Sequence, residues 1–120
     1  YLLGLFRLCR HQVFKATLNG RMAGMIACDP EWSEPGQGKV LEVHELVIDP
    51  YCQGYGLGSR LMRFAAGLGR KFGRSMVSLW AGEGNTRAIG WYRNKFGFRR
   101  DRKSGIWVHF QAPVEQIGRS

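Results

Sequence analysis

Between Asp49 and Leu61 the chain reads DPYCQGYGLGSRL, with glycines at positions 54, 56 and 58. Glycine has no Cβ, so successive backbone N–H groups can come close to a phosphate. A helix starting near Gly56 would aim its unpaired first-turn donors at the same place. A tight turn with packing glycines has the same composition, and the stretch alone does not separate the two readings. A Walker loop is excluded, because Gly58-Ser59-Arg60 lacks the lysine that must follow the glycines. A dinucleotide fingerprint is excluded too. The third glycine falls one position early, and no acid stands in Phe72-Gly73-Arg74-Ser75-Met76, about 20 residues on. Just upstream, KVLEVHELVI at 39–48 has the alternation of a strand but carries Glu42, His44 and Glu45. Strict alternation places Val40, Glu42, His44 and Leu46 on one face and Leu41, Val43, Glu45 and Val47 on the other. Acidic and imidazole groups on both faces of a central strand require a reason. Cys52 lies beside the glycines, but a catalytic thiol needs partners, and His44 is the only histidine nearby.

These residues must be positioned by the elements around them. VFKATLNGRMAGMIAC at 13–28 reads as two extended runs joined by Asn19-Gly20, a hairpin turn whose two residues tolerate positive φ. DPEWSEPGQG at 29–38 reads as a polar connection. The run at 39–48 is a third strand, ended by Asp49-Pro50. From Gly56 to Phe72, apolar residues at Leu57, Leu61, Phe64 or Ala65, Leu68 and Phe72 recur at helical spacing. SMVSLWA at 75–81 is a strand. A second helix follows, capped by Asn85, with Ile89, Tyr92 and Phe96 on its inner stripe and Gly97 as its left-handed stop. Strands near Phe98 and at GIWVHF, 105–110, complete the order. A hairpin first and a strand–helix–strand crossover later predict an α/β fold with a mixed sheet.

Length and charge bound the function. The 120 residues form one domain at most, with about two-thirds of the unfolded surface buried on folding. No apolar run reaches the roughly 20 residues of a membrane helix, and YLLGLFRLCRH lacks the features of a signal peptide. The three cysteines, Cys9, Cys28 and Cys52, make neither a disulfide framework nor a zinc cluster. A reducing, cytoplasmic setting and no metal are therefore expected. Residues 1–50 hold five Lys/Arg against six Asp/Glu, and residues 51–120 hold thirteen against three. The cationic second half would attract nucleic acid, anionic membrane or a polyphosphate ligand, and charge alone does not choose among them. Nucleic acid lacks support from interleaved aromatics or a reading motif.

The motif that chooses is LVIDPYCQGYGLGSRL. It resembles the acetyl-coenzyme A loop of the Gcn5-related N-acetyltransferases (GNAT), of form Gln/Arg-x-x-Gly-x-Gly/Ala, matched by Gln53, Gly56 and Gly58 after an aliphatic strand end and Asp-Pro. NTRAIGWYRNKFGF resembles the family's second landmark, with Asn85, Ala88, Tyr92 and Gly97-Phe98 in register. The resemblance covers about residues 39–98, and the preceding hairpin fits the family's second and third strands. It implies a GNAT-like acyltransferase fold over residues 1–120, short or truncated at its N-terminus, where the family places a strand and one or two helices that wall the acceptor site. The absence of an initiator Met leads us to expect more sequence upstream.

The resemblance also implies roles. The backbone of Val47 and Ile48 would pair with the pantetheine arm of acetyl-CoA. Gln53, Gly54, Tyr55, Gly56, Leu57, Gly58 and Ser59 would cradle the pyrophosphate, and Asn85 would hold the arm from the facing strand. Tyr92 would face the thioester sulfur and protonate the departing thiolate. The acceptor, a primary amine on a small molecule or peptide, arrives as an ammonium and must lose a proton. Glu45 is the first candidate base, with Glu42 and His44 as alternatives. A catalytically degenerate acyl-CoA-binding module is the competing reading. The strand GIWVHF offers an apolar edge that could pair in a homodimer.

Overall fold

The computed structural model describes residues 3–9 and 12–119. Seven strands form one sheet: β1 (Leu3–Cys9), β2 (Val13–Leu18), β3 (Arg21–Glu34), β4 (Gly38–Ile48), β5 (Met76–Gly82), β6 (Arg99–Ser104) and β7 (Trp107–Pro113). Their spatial order is β1-β2-β3-β4-β5-β7-β6. Only the β4–β5 pair is parallel; every other neighbouring pair is antiparallel. Helix α1 (Leu57–Lys71) connects β4 to β5, α2 (Thr86–Phe96) follows β5, and the short α3 (Val114–Gly118) follows β7. This is the mixed α/β sheet expected, with β1 and α3 added at its ends.

Local chemistry explains the elements. Asn19 and Gly20 take φ of 52° and 82° and turn β2 into β3. The apolar stripe of α1 buries Leu57, Leu61, Met62, Ala65 and Ala66 in a core shared with Leu41 and Val43 of β4 and with Val77 and Leu79 of β5. Gly69 lets α1 settle on the sheet, since a Cβ there would lie 3.4 Å from both Leu41 and Val114. At the end of α2, Gly97 has φ of 72° and a Cβ there would collide with Gln116, whose amide donates to the Phe96 carbonyl. The positive φ favours glycine here, and a Cβ would also displace the Gln116 amide from its hydrogen bond.

Three expectations are corrected. The stretch from Asp29 to Glu34 is not a loop but the end of β3, which passes Pro30 at an irregularity in its pairing with β4 and buries Glu34. Second, β4 does not alternate strictly. Ala27 pairs with Glu45 but Cys28 pairs with Val43, so His44 is an extra residue, a β-bulge. The bulge shifts the phase: Val43 packs in the core, Leu46 packs against it, and Glu42 and Glu45 end on the same open face of the sheet instead of opposite faces. Third, GIWVHF is not an edge. β7 lies between β5 and β6, and the edge at that side is RRDRKS of β6, whose charges discourage strand pairing with a second copy.

Candidate active site

β4 and β5 pair only at Leu41–Val77, Glu42–Ser78 and Val43–Leu79. Beyond these, β4 runs on to Ile48 and β5 to Gly82 without pairing to each other. The two strands therefore splay and leave a gap in the middle of the sheet. Asp49 donates its N–H to the Ala23 carbonyl at 2.7 Å, on the β3 side, and the Val47 carbonyl likewise lies against Gly24 of β3. Since backbone groups alternate along a strand, Leu46 and Ile48 turn theirs into the gap. By the same alternation Val47, expected to pair with the arm, turns its backbone groups toward β3.

The glycine loop closes one end of the gap. Asp49 caps a short 3₁₀ turn at Pro50–Cys52, accepting from Tyr51 N–H at 2.9 Å. Gly54 and Gly56 take φ of 93° and 72° with open space where a Cβ would sit. Gly56 is the N-cap of α1, with no side-chain cap and no acid in the first turn. The first-turn N–H groups of α1 are thus left for an anion, as a coenzyme A pyrophosphate requires. Gly58 serves packing: a Cβ there would lie 3.2 Å from the Trp91 ring. Leu57 is buried, so only its backbone can contribute.

On the helical face, Ile48, Gln53, Gly58, Asn85 and Tyr92 line one cleft of about 510 Å³. All five are among the expected site residues, whereas Leu46, Arg87 and Trp91, which also line it, are not. Arg87 was signalled only by its place in the first turn after Asn85. The Asn85 side chain accepts from Ala88 N–H at 3.4 Å and so caps α2. Tyr92 stacks among Trp91 and Phe98, and burial pushes its hydroxyl above the usual tyrosine range. Burial thus favours the neutral hydroxyl over the phenolate. Gly54, Tyr55 and Ser59 belong to the same loop and helix start but do not line this cleft.

On the open face, Glu42, His44, Trp80, Ser104 and Trp107 line a second cleft of about 390 Å³. Glu42 is 1% exposed and accepts from Ser78 Oγ at 3.0 Å. Its carboxyl is pushed up to about 7, first by burial, then by the anions Glu34 and Asp29; Ser78 and Arg102 oppose the rise. His44 lies edge-on to Trp32 and 3.9 Å from Asp29. Glu45 is exposed. Sequence reasoning missed Glu34 and His109, both buried beside Glu42. The one signal for His109 was an imidazole inside the apolar run WVHF. Cys28 is buried, its thiol pushed up to about 12, and is unsuited to nucleophilic work.

A family model described as the acetyltransferase (GNAT) family matches residues 3–98. The chain belongs to this family. It is 35% identical over 96 residues to an uncharacterized N-acetyltransferase of Methanocaldococcus jannaschii, covering 79% of this chain and 42% of that protein. A crystal structure from Pyrococcus horikoshii superposes with a TM-score of 0.76 at 35% identity, over 85% of this chain and 64% of the other. The PaiA N-acetyltransferase of Thermoplasma acidophilum, crystallised with coenzyme A, shares the fold at a TM-score of 0.73 and 17% identity, over 84% and 59%. The chain thus spans less than two thirds of each of these relatives. Among the described residues of this GNAT chain, no helix is long and apolar enough to cross a membrane.

Proposed function

We propose that this GNAT chain carries an N-acetyltransferase site in which acetyl-CoA and a primary amine approach the β4–β5 gap from opposite faces. The observation that carries the reading is the end of β4–β5 pairing at Val43–Leu79, with one cleft opening on each side. Acetyl-CoA supplies the activated thioester. The loop from Gln53 to Ser59 and the start of α1 hold its pyrophosphate. Leu46 and Ile48 offer unpaired backbone groups to its arm, and Asn85 flanks the arm from the end of β5. An N–H freed by the splay is suited to the oxyanion that forms when the amine attacks the thioester carbonyl.

Of the candidate bases, Glu42 is favoured over Glu45. Glu42 lines the open-face cleft, and its carboxyl titrates near 7, whereas Glu45 is exposed. Glu42 takes one proton from the acceptor ammonium and frees the lone pair that attacks. Tyr92 gives its proton to the departing thiolate, and the second proton that the nitrogen sheds as the amide forms restores the tyrosine. A carboxyl poised near the working pH is well matched to this exchange.

The test is binding calorimetry with coenzyme A followed by thiol release from acetyl-CoA across a panel of amines. Binding with transfer to at least one amine supports the reading. Binding with no transfer to any amine would leave a coenzyme A-binding module, and no binding would remove the site.

A further inference from the structure

The open face of the sheet holds a buried cluster that coenzyme A binding does not use. One side-chain nitrogen or oxygen from each of Glu34, Glu42 and His109 lies within 4.8 Å of the other two, and all three residues are buried. They come from β3, β4 and β7. His109 Nδ1 lies 3.0 Å from Asp101 Oδ2. Arg102 Nη1 also lies 3.4 Å from Nδ1, but the shorter contact, to a carboxylate that only accepts, places the hydrogen on Nδ1. His109 Nε2 then faces Glu34 Oε1 at 3.3 Å. Glu34 Oε2, Glu42 Oε2 and His109 Nε2 are buried without a hydrogen-bond partner, Glu34 Oε2 standing only in ionic contact with Arg102. Arg102 roofs the group: it pairs with Glu34 Oε2 and with Asp101 Oδ2, each at 2.8 Å, and its guanidinium lies 5.0 Å from the Trp80 ring. Trp32 Nε1 donates to Glu34 Oε1 at 2.9 Å.

Lone pairs from two carboxylates and an imidazole cannot converge in a buried site without positive charge or shared protons. Arg102 already supplies one cation, to Glu34. What Glu42 Oε2 lacks is a proton or a donor. We propose that Glu34, His109, Asp101 and Arg102 are positioning residues that set the proton affinity of Glu42. The inference rests on the proposed function only in giving that proton a use. The step is a simple exchange: the acceptor ammonium becomes an amine, and the Glu42 carboxylate becomes a carboxylic acid whose proton the cluster can share. Asp29 and Glu34 from β3, Ser78 from β5, Arg102 from β6 and His109 from β7 face Glu42. His44, its neighbour on β4, lines the same cleft. The anions favour the protonated form, and Arg102 and the Ser78 hydrogen bond favour the charged one.

Two substitutions separate tuning from mere support, because they must act in opposite directions. The protein is labelled with ¹³C at glutamate carboxyls, and the Glu42 signal is assigned by its loss in Glu42→Gln. Glu34→Gln removes an anion and should lower the last carboxylate titration of the cluster by about one pH unit. Arg102→Met, at a partly exposed position, removes the cation and should raise it by a similar amount. Shifts of the same sign, or no shift in either folded variant, would overturn the inference. So would one zinc ion per chain retained through purification, measured by mass spectrometry, since a metal would then occupy the lone pairs. If the titration moves as expected while the pH profile of acetyl transfer stays fixed, the network stands and Glu42 is not the base.

Discussion

The clefts on the two sides of the β4–β5 gap are built from different material. On the helical side the working parts are mostly backbone: two glycines at positive φ, an uncapped helix start and the exposed edge of β4. On the open side they are side chains drawn from β3, β4, β5, β6 and β7 around Glu42. A backbone site recognises what every coenzyme A thioester shares, so it tolerates change in side chains but not in geometry. A side-chain site can be retuned one charge at a time.

Substitutions can break this contrast, and the largest effect is expected at Glu42. Glu42→Gln should lower kcat/KM by 10²–10⁴, the range about typical of a positioned acid–base group, while coenzyme A affinity is unchanged. Glu45→Gln should stay within about threefold of the parent, a change well below that range. The pH dependence follows from the raised carboxyl. The base form becomes the major one only above about 7, so kcat/KM of the parent should rise with pH through about 7. Stability runs the other way: a raised folded-state value favours folding below the unfolded carboxyl range, and this advantage is lost as pH rises through about 7. Glu42→Gln should therefore melt higher than the parent at pH 8, and lose that lead at pH 5. A variant inactive because it is misfolded would melt lower at both.

Gly56→Asp attacks the other region. It places a charged side chain in phosphate space at a residue whose φ is 72°, and coenzyme A affinity should fall at least about tenfold. The ¹³C titration of Glu42 should not move, because nothing on the open face is touched. Tyr92→Phe, beside the gap, should cost less than Glu42→Gln, about tenfold to a hundredfold in kcat, since solvent can also protonate a thiolate. The smallest effect is expected from Arg63→Gln with Arg70→Gln on α1. Arg70 forms an exposed pair with Glu115 at 3.3 Å, worth about 0.2–1 kcal/mol. Stopped-flow association of coenzyme A should lose part of its salt dependence, with saturated turnover unchanged.

The same contrast explains what the sequence made legible. Gln53, Gly56, Gly58, Asn85 and Tyr92 lie in two short local motifs, and each motif dictates its own backbone. Glu34, Ser78, Asp101 and His109 meet Glu42 only through the sheet order, which places β7 beside β5 and curls the end of β3 over the open face. No local pattern encodes that meeting. The bulge at His44 was also hidden, because one inserted residue reverses every later face assignment without altering composition. Polar residues in 29–34 resembled a loop because the partners that bury Glu34, chiefly Arg102 and Trp32, are distant or two residues away on an irregular strand.

The central claim is that the two substrates meet through the gap from opposite faces, and three of the four tryptophans are placed to report it. Trp91 lines the helical cleft, and Trp80 and Trp107 line the open one. In a ¹⁵N spectrum of the indole N–H groups, coenzyme A should shift Trp91 and leave Trp107 in place, whereas an accepted amine should shift Trp80 and Trp107. If coenzyme A shifts Trp107 and leaves Trp91 unchanged, the donor lies on the open face and the account is wrong.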